Sequence, residues 1–279
     1  MGACAEGALS DVTVVVTCFD YGRYLAEAVG SALAQEGGAP HVVVVDDGST
    51  DPETLAVLER LPPEVTVVRQ QNRGPAAARN VGFARAETPY LLALDADDRL
   101  APGALTTLRR ALESRSEAAF AYGLSRFFGD WEGILRFPPY DPYRLLYRHI
   151  VGLSALMRRE VFARTGGYDE SFPSFEDWEF WVNALAHGQR GVQVPEVTLE
   201  YRQHRRSKSQ TDGRHYRAAF ARLREKHADL YRERDRFAAE SSLGALGRAA
   251  YRCYWGPRPV PAKLERSLYG LLWRPRRRG

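Results

Sequence analysis

Three carboxylates stand within four residues at the end of an apolar run, in the segment Asp95-Ala96-Asp97-Asp98. The run before it, residues 90–94, reads Tyr-Leu-Leu-Ala-Leu and is typical of a buried strand. Like charges held this closely repel one another, and a divalent cation with oxygen ligands is the simplest compensation. The alternative is a solvated acidic turn before Pro102. The segment alone does not decide between these two interpretations.

The residues before position 115 predict strands that alternate with helices. Unbroken β-branched runs, such as Val12–Thr17 and His41–Val45, favour strands that are buried on both faces. Alternating strands and helices indicate βαβ units and a parallel sheet with helices on both faces. The predicted strands are 12–17, 41–45, 65–69 and 90–94, and the predicted helices are 24–35, 52–60, 74–86 and 101–114.

Polar loops follow each of these strands. In open α/β sheets, ligands bind at the carboxyl ends of the strands, so the loops should converge on one edge. The second such loop, Asp46-Asp47-Gly48-Ser49, carries two further acids. We therefore expect a single polar site that includes the acidic segment at 95–98.

The second half of the chain carries a different pattern. Residues 131–148 are rich in aromatic residues and proline, which favours an ordered loop with a short helix over a linker. A second acidic pair, Glu176-Asp177, opens a predicted helix that continues through Trp178, Phe180 and Trp181. The other predicted elements are strands 118–129, 152–157 and 192–201, a helix at 158–164 and one long charged helix at 217–240.

The composition is that of an ordinary globular protein. The chain has 279 residues, of which 44% are hydrophobic and 27% charged, and its net charge is +4. No apolar stretch approaches the roughly 20 residues that span a bilayer, and residues 1–10 lack the features of a signal peptide. The three cysteines, Cys4, Cys18 and Cys253, are widely spaced, which favours free thiols in a reducing compartment. We therefore expect a cytoplasmic protein.

The C-terminal tail, residues 243–279, is strongly basic. It holds nine lysines and arginines and one acid, Glu265, whereas the rest of the chain has more acidic than basic residues. Its leucines alternate with arginines, as in a segment that lies on an anionic membrane surface, at the inner face of the cell membrane. The alternative is packing on the same chain or on a second subunit of a homodimer. Nucleic acid is disfavoured as a partner because the basic run is short and the body acidic.

Four stretches together resemble the family 2 inverting glycosyltransferases with the GT-A fold. They are residues 14–35, residues 43–51, residues 72–98 with the acidic segment at their end, and residues 166–178 with the Glu176-Asp177 pair. The resemblance implies a Rossmann-like α/β fold, with a mostly parallel central sheet, flanking helices and a C-terminal helical extension. It implies a GT-A domain over 1–205 with a nucleotide-binding half (about 10–115) and an acceptor half (about 116–205). A charged helical segment (206–242) and the tail would follow.

The same resemblance implies a nucleotide site. The matching family aspartate binds uracil, so Asp47 is expected to accept a hydrogen bond from the base, or else to cap the turn before Gly48. Thr17 and Phe19 are expected to frame the base, unless they belong to the core. Arg79 resembles a family arginine near the nucleotide, and its alternative is a solvated helix residue. Asp95 is expected to contact the ribose or to orient its loop.

The acidic segment matches the family's metal motif, which implies Mn²⁺ or Mg²⁺ on the donor diphosphate. Asp97 is the expected direct ligand, and Asp98 is expected as a second ligand or as a sugar contact. His204 resembles a late family histidine that completes the metal site, although it would otherwise be an ordinary surface histidine. An imidazole ligand would favour Mn²⁺ modestly, because it is softer than a carboxylate.

Asp177 matches the family's general base. Crowding by Glu176 and by apolar rings should raise its pKa, which suits proton abstraction from a hydroxyl. The alternative is an acid placed at a helix N-terminus by the helix dipole. Glu176 and Trp178 are expected to contact the acceptor or the transferred sugar. One base opposite the leaving group implies direct displacement with inversion.

The sequence thus predicts a glycosyltransferase that uses a nucleotide sugar, with UDP and dTDP favoured and GDP left open. The acceptor hydroxyl would belong to a lipid-linked glycan, as in cell-envelope polysaccharide assembly, to a small natural product or to a peptide. The alternative is a catalytically inactive sugar-nucleotide-binding or scaffold protein. A sugar nucleotidyltransferase is disfavoured because residues 17–22 supply a single glycine, Gly22.

Overall fold

The computed structural model describes residues 9–172, 174–204 and 216–257. Its central sheet begins with four parallel strands in the order β3-β2-β1-β4. Val14 lies beside Val42 on one side and beside Leu92 on the other, so the apolar runs read from the sequence pair directly. These strands are β1 (Val12–Cys18), β2 (His41–Asp46), β3 (Thr66–Arg69) and β4 (Tyr90–Asp95).

Beyond β4 the sheet is mixed. β8 runs antiparallel between β4 and β6, whereas β6 and β9 run parallel to each other. The prediction of a parallel sheet therefore holds for the first four strands, and the rest of the sheet mixes both directions. These later strands are β5 (Arg99–Leu100), β6 (Phe120–Gly129), β7 (Gly133–Leu135), β8 (Leu156–Arg158) and β9 (Gly191–Gln203).

Helices cover both faces of the sheet, as predicted. Alternate valines of β1 enter opposite cores: Val15 belongs to one hydrophobic cluster, and Val14 and Val16 belong to the other. Both cores are needed because a parallel strand is apolar on both faces. The helices before the C-terminal segment are α1 (Gly22–Leu33), α2 (Pro52–Leu58), α3 (Pro75–Ala84), α4 (Ala104–Glu113), α5 (Pro142–Tyr147), α6 (Arg159–Thr165) and α7 (Glu176–Ala186).

Gly82 allows α3 to approach the sheet closely. A Cβ atom at this position would lie 2.3 Å from Cγ1 of Val15, so only a residue without a side chain fits. This contact fixes the face of α3 that carries Arg79, one turn before Gly82. This close contact thus helps to set the position of Arg79 over the sheet.

The predicted single helix over 217–240 is wrong. The chain instead forms three short helices, Tyr216–Lys226, Ala228–Arg232 and Arg234–Glu240. The first break lies at His227, whose buried ring places Nε2 2.8 Å from Oε1 of the buried Glu179.

The first part of the basic tail packs on the body of the protein. Residues 245–250 are helical, Tyr251 is buried, and the Tyr216 hydroxyl donates to the Trp255 carbonyl oxygen at 3.0 Å. Residues 258–279, which carry most of the predicted membrane-binding pattern, lie outside the described residues. Within the described ranges, no helix is both long and apolar enough to cross a membrane.

Candidate active site

The three aspartates of the acidic segment form a compact cluster at the end of β4. One carboxylate oxygen each from Asp95, Asp97 and Asp98 lies within 4.8 Å of the other two. Asp98 is buried, and its Oδ1 accepts a hydrogen bond from the Arg202 backbone N–H at 2.8 Å. Burial, and then repulsion from the neighbouring carboxylates, raises the pKa of Asp98 well above its ordinary value. The burial of Asp98 excludes the alternative of a solvated acidic turn.

His204 joins this cluster from the end of β9. Its Nε2 atom lies 2.9 Å from Oδ2 of Asp97, and the side chain is largely buried. The rings of Tyr21 and Tyr24 flank the imidazole, with centroids 5.8 and 5.6 Å away. His204 is therefore not an ordinary surface histidine, because its imidazole lies beside the cluster of three carboxylates.

The nucleotide-binding candidates lie around the ends of β1 and β2. Thr17 Oγ1 donates to Asp95 Oδ1 at 3.3 Å, and the Phe19 ring is 44% exposed, which leaves it accessible to a planar ligand. Asp47 is buried and holds the loop before α3: Oδ1 accepts from the Arg73 backbone N–H and Oδ2 from the Gly74 N–H. The contacts of Asp47 with uracil and of Thr17 and Phe19 with the base remain predictions.

Arg79 is buried between two carboxylates. Its Nη1 donates to Glu176 Oε1 at 2.9 Å, and its Nη2 donates to Asp95 Oδ1 at 3.0 Å. Burial opposes the charged form, but the two carboxylates outweigh it and raise the pKa of Arg79 above its ordinary value. The alternative of a solvated helix residue is wrong. Arg79 instead ties β4 to the start of α7.

Asp177 lies next to Glu176, and His149 is its partner. His149 Nε2 lies 3.2 Å from Asp177 Oδ2, and Asp177 Oδ1 accepts a hydrogen bond from the Trp178 backbone N–H at 2.8 Å. Burial raises the pKa of Asp177, but the charges of His149 and Arg79 and these hydrogen bonds outweigh it and lower the pKa to about 2. The predicted rise in pKa is therefore wrong, and the carboxylate is ionised at neutral pH.

Trp178 does not reach the cleft, contrary to its predicted contact with substrate. Its side chain is completely buried, and its indole N–H donates to the Leu145 carbonyl oxygen at 2.7 Å. The His149 ring lies nearly parallel to it, with centroids 6.5 Å apart. Trp178 therefore stacks with His149 in the core instead of contacting a ligand. Glu176 does line the cleft, where Arg79 binds it.

The residue before this helix has a strained backbone. Phe175 has φ = 61°, in the left-handed region that residues with a side chain rarely adopt. Such strain costs about 1–3 kcal/mol and is concentrated at functional sites. Here it turns the chain so that α7 starts with Glu176 and Asp177 at the cleft.

One cleft of about 580 Å³ is lined by Asp95, Asp98, His149, Glu176 and Asp177. Asp97 and His204 are not among its lining residues. The fold thus brings together the acids from β4 and the proposed base from α7. His149 was missed by sequence reasoning, because it follows the 131–148 segment, in which no pattern could be interpreted.

Comparison with known proteins identifies the family. The family profile described as "Glycosyl transferase family 2" matches residues 13–165, which is more than half of the chain. The chain belongs to glycosyltransferase family 2. A second profile, "Glycosyltransferase like family 2", matches residues 148–236 and so extends over His149, Asp177 and the first C-terminal helices. The resemblance predicted from the motifs is confirmed.

Two similar relatives come from Rhizobium meliloti (strain 1021). Succinoglycan biosynthesis protein ExoO is 42% identical over 214 residues, and succinoglycan biosynthesis protein ExoU is 34% identical over 203 residues. The matches cover 68% and 65% of this chain, respectively. The chain spans about three fifths of the length of each, at 60% of ExoO and 58% of ExoU.

Two solved structures share the fold. Staphylococcus aureus TarS 1-349 in complex with UDP-GlcNAc has a TM-score of 0.64 at 18% identity, over 86% of this chain and 70% of that one. Mannosyltransferase PcManGT from Pyrobaculum calidifontis, in complex with GDP-Man and Mn²⁺, has a TM-score of 0.62 at 20% identity, over 94% and 87%. These likenesses confirm the predicted GT-A-type α/β fold with its C-terminal helices.

Removal of the Arg79 guanidinium should strongly destabilise the protein. In Arg79→Ala, the nearly buried Glu176 carboxylate and the Asp95 carboxylate lose their ion pairs with Arg79, and we expect a loss of about 3–5 kcal/mol in the free energy of unfolding. Arg73→Ala is the matched control, since it breaks the exposed pair with Glu170, and should cost less than about 1 kcal/mol. Urea titration of both variants measures the difference. Equal, small losses would contradict a structural role for Arg79.

The pair of His149 and Asp177 should make the free energy of unfolding depend on pH in two ranges, below pH 3.8 and above pH 6.5. The Asp177 pKa is lowered from 3.8, so its contribution is present above that value and is lost as pH falls towards about 2. Burial lowers the His149 pKa, but Asp177 outweighs it and raises the pKa above 6.5. The histidine's contribution is therefore full below 6.5 and is lost as pH rises through the raised value.

We expect His149→Gln to abolish the part of this decline that lies above pH 6.5. His187→Gln is the control, because this histidine is exposed and its Nδ1 contacts the Asn183 carbonyl oxygen. The measurement is the free energy of unfolding from urea titrations between pH 5 and pH 9 (roughly the range in which histidine titrates). A His149→Gln curve parallel to the wild-type curve would show that the pair does not form.

Proposed function

We propose that the protein is a metal-dependent, inverting glycosyltransferase that moves a sugar from a nucleotide sugar to an acceptor hydroxyl. The observation that carries this proposal is the shared cleft: Asp95 and Asp98 of the acidic cluster line the same cavity as Asp177, and Arg79 pairs with both Asp95 and Glu176. A protein that only binds a nucleotide would need no general base, and the presence of Asp177 in the cleft, held by His149, therefore favours catalysis.

The acidic cluster and His204 fit a divalent cation. Three carboxylates within 4.8 Å of one another, two of them with pKa values raised by burial and mutual repulsion, gain from a positive charge between them. Asp97, Asp98 and His204 are the proposed ligands of Mn²⁺ or Mg²⁺. Carboxylate oxygens suit both ions, and the imidazole favours Mn²⁺ modestly. When bound, the ion would neutralise the negative charge that develops on the departing diphosphate.

Asp177 is the proposed general base. The acceptor oxygen forms a bond to the anomeric carbon as the bond from that carbon to the diphosphate oxygen breaks, and the hydroxyl proton passes to the carboxylate. A carboxylate with a pKa of about 2 is a weak base. It is sufficient because the hydroxyl becomes strongly acidic as the new C–O bond forms. His149 keeps the carboxylate ionised and oriented before the reaction.

The donor site is proposed to lie at the ends of β1 and β2. Asp47 can accept a hydrogen bond from N3–H of uracil or thymine, so UDP- and dTDP-sugars are favoured. Asp47 already accepts hydrogen bonds from residues 70–74, which would hold its carboxylate at a fixed angle. The exposed Phe19 ring and Thr17 would frame the base, and Asp95 would contact the ribose.

The relatives support polysaccharide assembly as the setting. ExoO and ExoU are both named as succinoglycan biosynthesis proteins. We therefore propose that the acceptor is a growing cell-envelope or extracellular polysaccharide. Attachment of the basic tail to the membrane surface would place the cleft near a lipid-linked acceptor, and this remains a prediction for residues outside the described ranges.

Asp177→Asn should separate binding from catalysis. Asparagine keeps the shape of the side chain but cannot take a proton, so we expect turnover to fall by about 10²–10⁴-fold while UDP binding in the presence of Mn²⁺ is kept. UDP binding is measured by calorimetry, and turnover is measured as slow hydrolysis of UDP-sugars with Mn²⁺. Asp235→Asn, at a highly exposed acid, is the matched control and should change neither.

Two results would count against this assignment. Full turnover in Asp177→Asn would show that another group is the base. Failure of the wild-type protein to bind UDP, dTDP or GDP, with or without Mn²⁺, would overturn the proposed function itself.

A further inference from the structure

An aromatic platform lies on the wall of the cleft formed by β6, β7 and β9. It consists of Phe127, Trp131 and Tyr201, all of which line the cavity that also contains Asp177. The Phe127 and Trp131 ring centroids are 4.4 Å apart, and Tyr201 meets Phe127 edge-on at 5.7 Å. Neither the donor site nor the proposed chemistry uses these rings.

The backbone fixes this platform relative to the metal cluster. Gly129 ends β6 with φ = +99°, and a Cβ atom there would lie 2.6 Å from the Gln203 carbonyl oxygen. β6 can therefore stay in contact with the end of β9, one residue before His204. The hairpin between β6 and β7, which carries Trp131, is thus anchored beside the proposed metal ligands.

Trp131 is partly exposed at the wall of the cleft and does not fill a core. Its side chain is 46% exposed, although burial of such a ring is normally favourable. The cleft is also lined by the apolar side chains of Leu135 and Phe137 and by the polar but uncharged side chains of Ser125 and Gln203. The platform therefore suits a neutral ligand with one apolar face and many hydroxyl groups.

We propose that this platform is an acceptor subsite that stacks a pyranose ring of a neutral glycan. One face of a pyranose presents several C–H groups, which carry a slight positive charge and pack on the negative face of an aromatic ring. The inference rests on the proposed function and deepens it: the acceptor is recognised through a sugar ring next to the reacting hydroxyl. A lipid or a small aglycone is not the group on the platform.

Exposed apolar side chains on a hairpin can also insert into a membrane. Ile134 distinguishes the two cases, because it is 45% exposed on β7 but does not line the cleft. A membrane-inserting hairpin would use Trp131 and Ile134 together, whereas a glycan subsite uses Trp131 alone. Ile134→Ala is therefore the matched control for Trp131→Ala.

The test is saturation-transfer NMR on the full chain with UDP and Mg²⁺ present. The probes are neutral β-1,3-, β-1,4- and β-1,6-linked gluco-oligosaccharides, with mannitol as an open-chain control that has no ring face. We expect the wild-type protein to bind at least one oligosaccharide and not mannitol. Trp131→Ala should weaken this binding about tenfold, Trp131→Phe should largely retain it, and Ile134→Ala should leave it unchanged.

UDP binding to each variant is measured in parallel, so that failure of the donor site is seen separately from failure of the platform. If UDP binds but none of the oligosaccharides binds to the wild-type protein, the subsite is disproved while the proposed function stands. Equal oligosaccharide binding by wild type and Trp131→Ala also overturns it. Loss of flotation with phosphatidylglycerol vesicles in both Trp131→Ala and Ile134→Ala, without an effect on sugar binding, would assign the hairpin to the membrane instead.

Discussion

Arg79 is held between Asp95 and Glu176, two carboxylates that belong to different halves of the chain. An arginine buried this deeply needs both partners, because an unpaired charge away from water is strongly unfavourable. The planar guanidinium, which presents separate N–H groups to each acid, also fixes the direction of approach. The distance between the end of β4 and the start of α7 is therefore set by one side chain.

Several features of the site follow from this constraint. Asp95 continues into the acidic cluster, and Glu176 continues into Asp177, so the bridge sets the spacing between the proposed metal site and the proposed base. The position of Arg79 itself depends on Gly82, which lets α3 approach β1, and on Asp47, which holds the loop before α3. The positive charge of Arg79 also helps to keep Asp177 ionised. Packing, orientation and electrostatics are thus coupled in the same few residues.

Sequence patterns predicted most of the fold because its strands are unusually clear. The β-branched run of β1 and the apolar run of β4 allow few alternatives, and the parallel arrangement of the first four strands follows from the intervening helices. Asp95 and Asp98 of the acidic segment line the cleft, as the rule that ligands bind at the carboxyl ends of strands predicts. Glu176 and Asp177 also line it, but they open a helix, and their role was expected from the family resemblance alone.

The sequence could not give the contacts that depend on tertiary packing. The sign of the Asp177 pKa shift was wrong because its neighbours along the chain were visible, whereas His149 was not. Trp178 was expected at the substrate because it follows the acids, but helical periodicity turns it into the core. The break at His227 was missed because the contact made there, with the buried Glu179, is to another helix.

In the proposed mechanism, Asp177 and the departing diphosphate lie on opposite sides of the anomeric carbon. The stereochemistry of the sugar released from a UDP-α-linked donor tests this arrangement most directly. Proton NMR with Mg²⁺, which does not broaden the signals as Mn²⁺ does, can follow the anomeric proton before the sugar equilibrates. Inversion predicts that the β-anomer forms first. Initial formation of the α-anomer would contradict it.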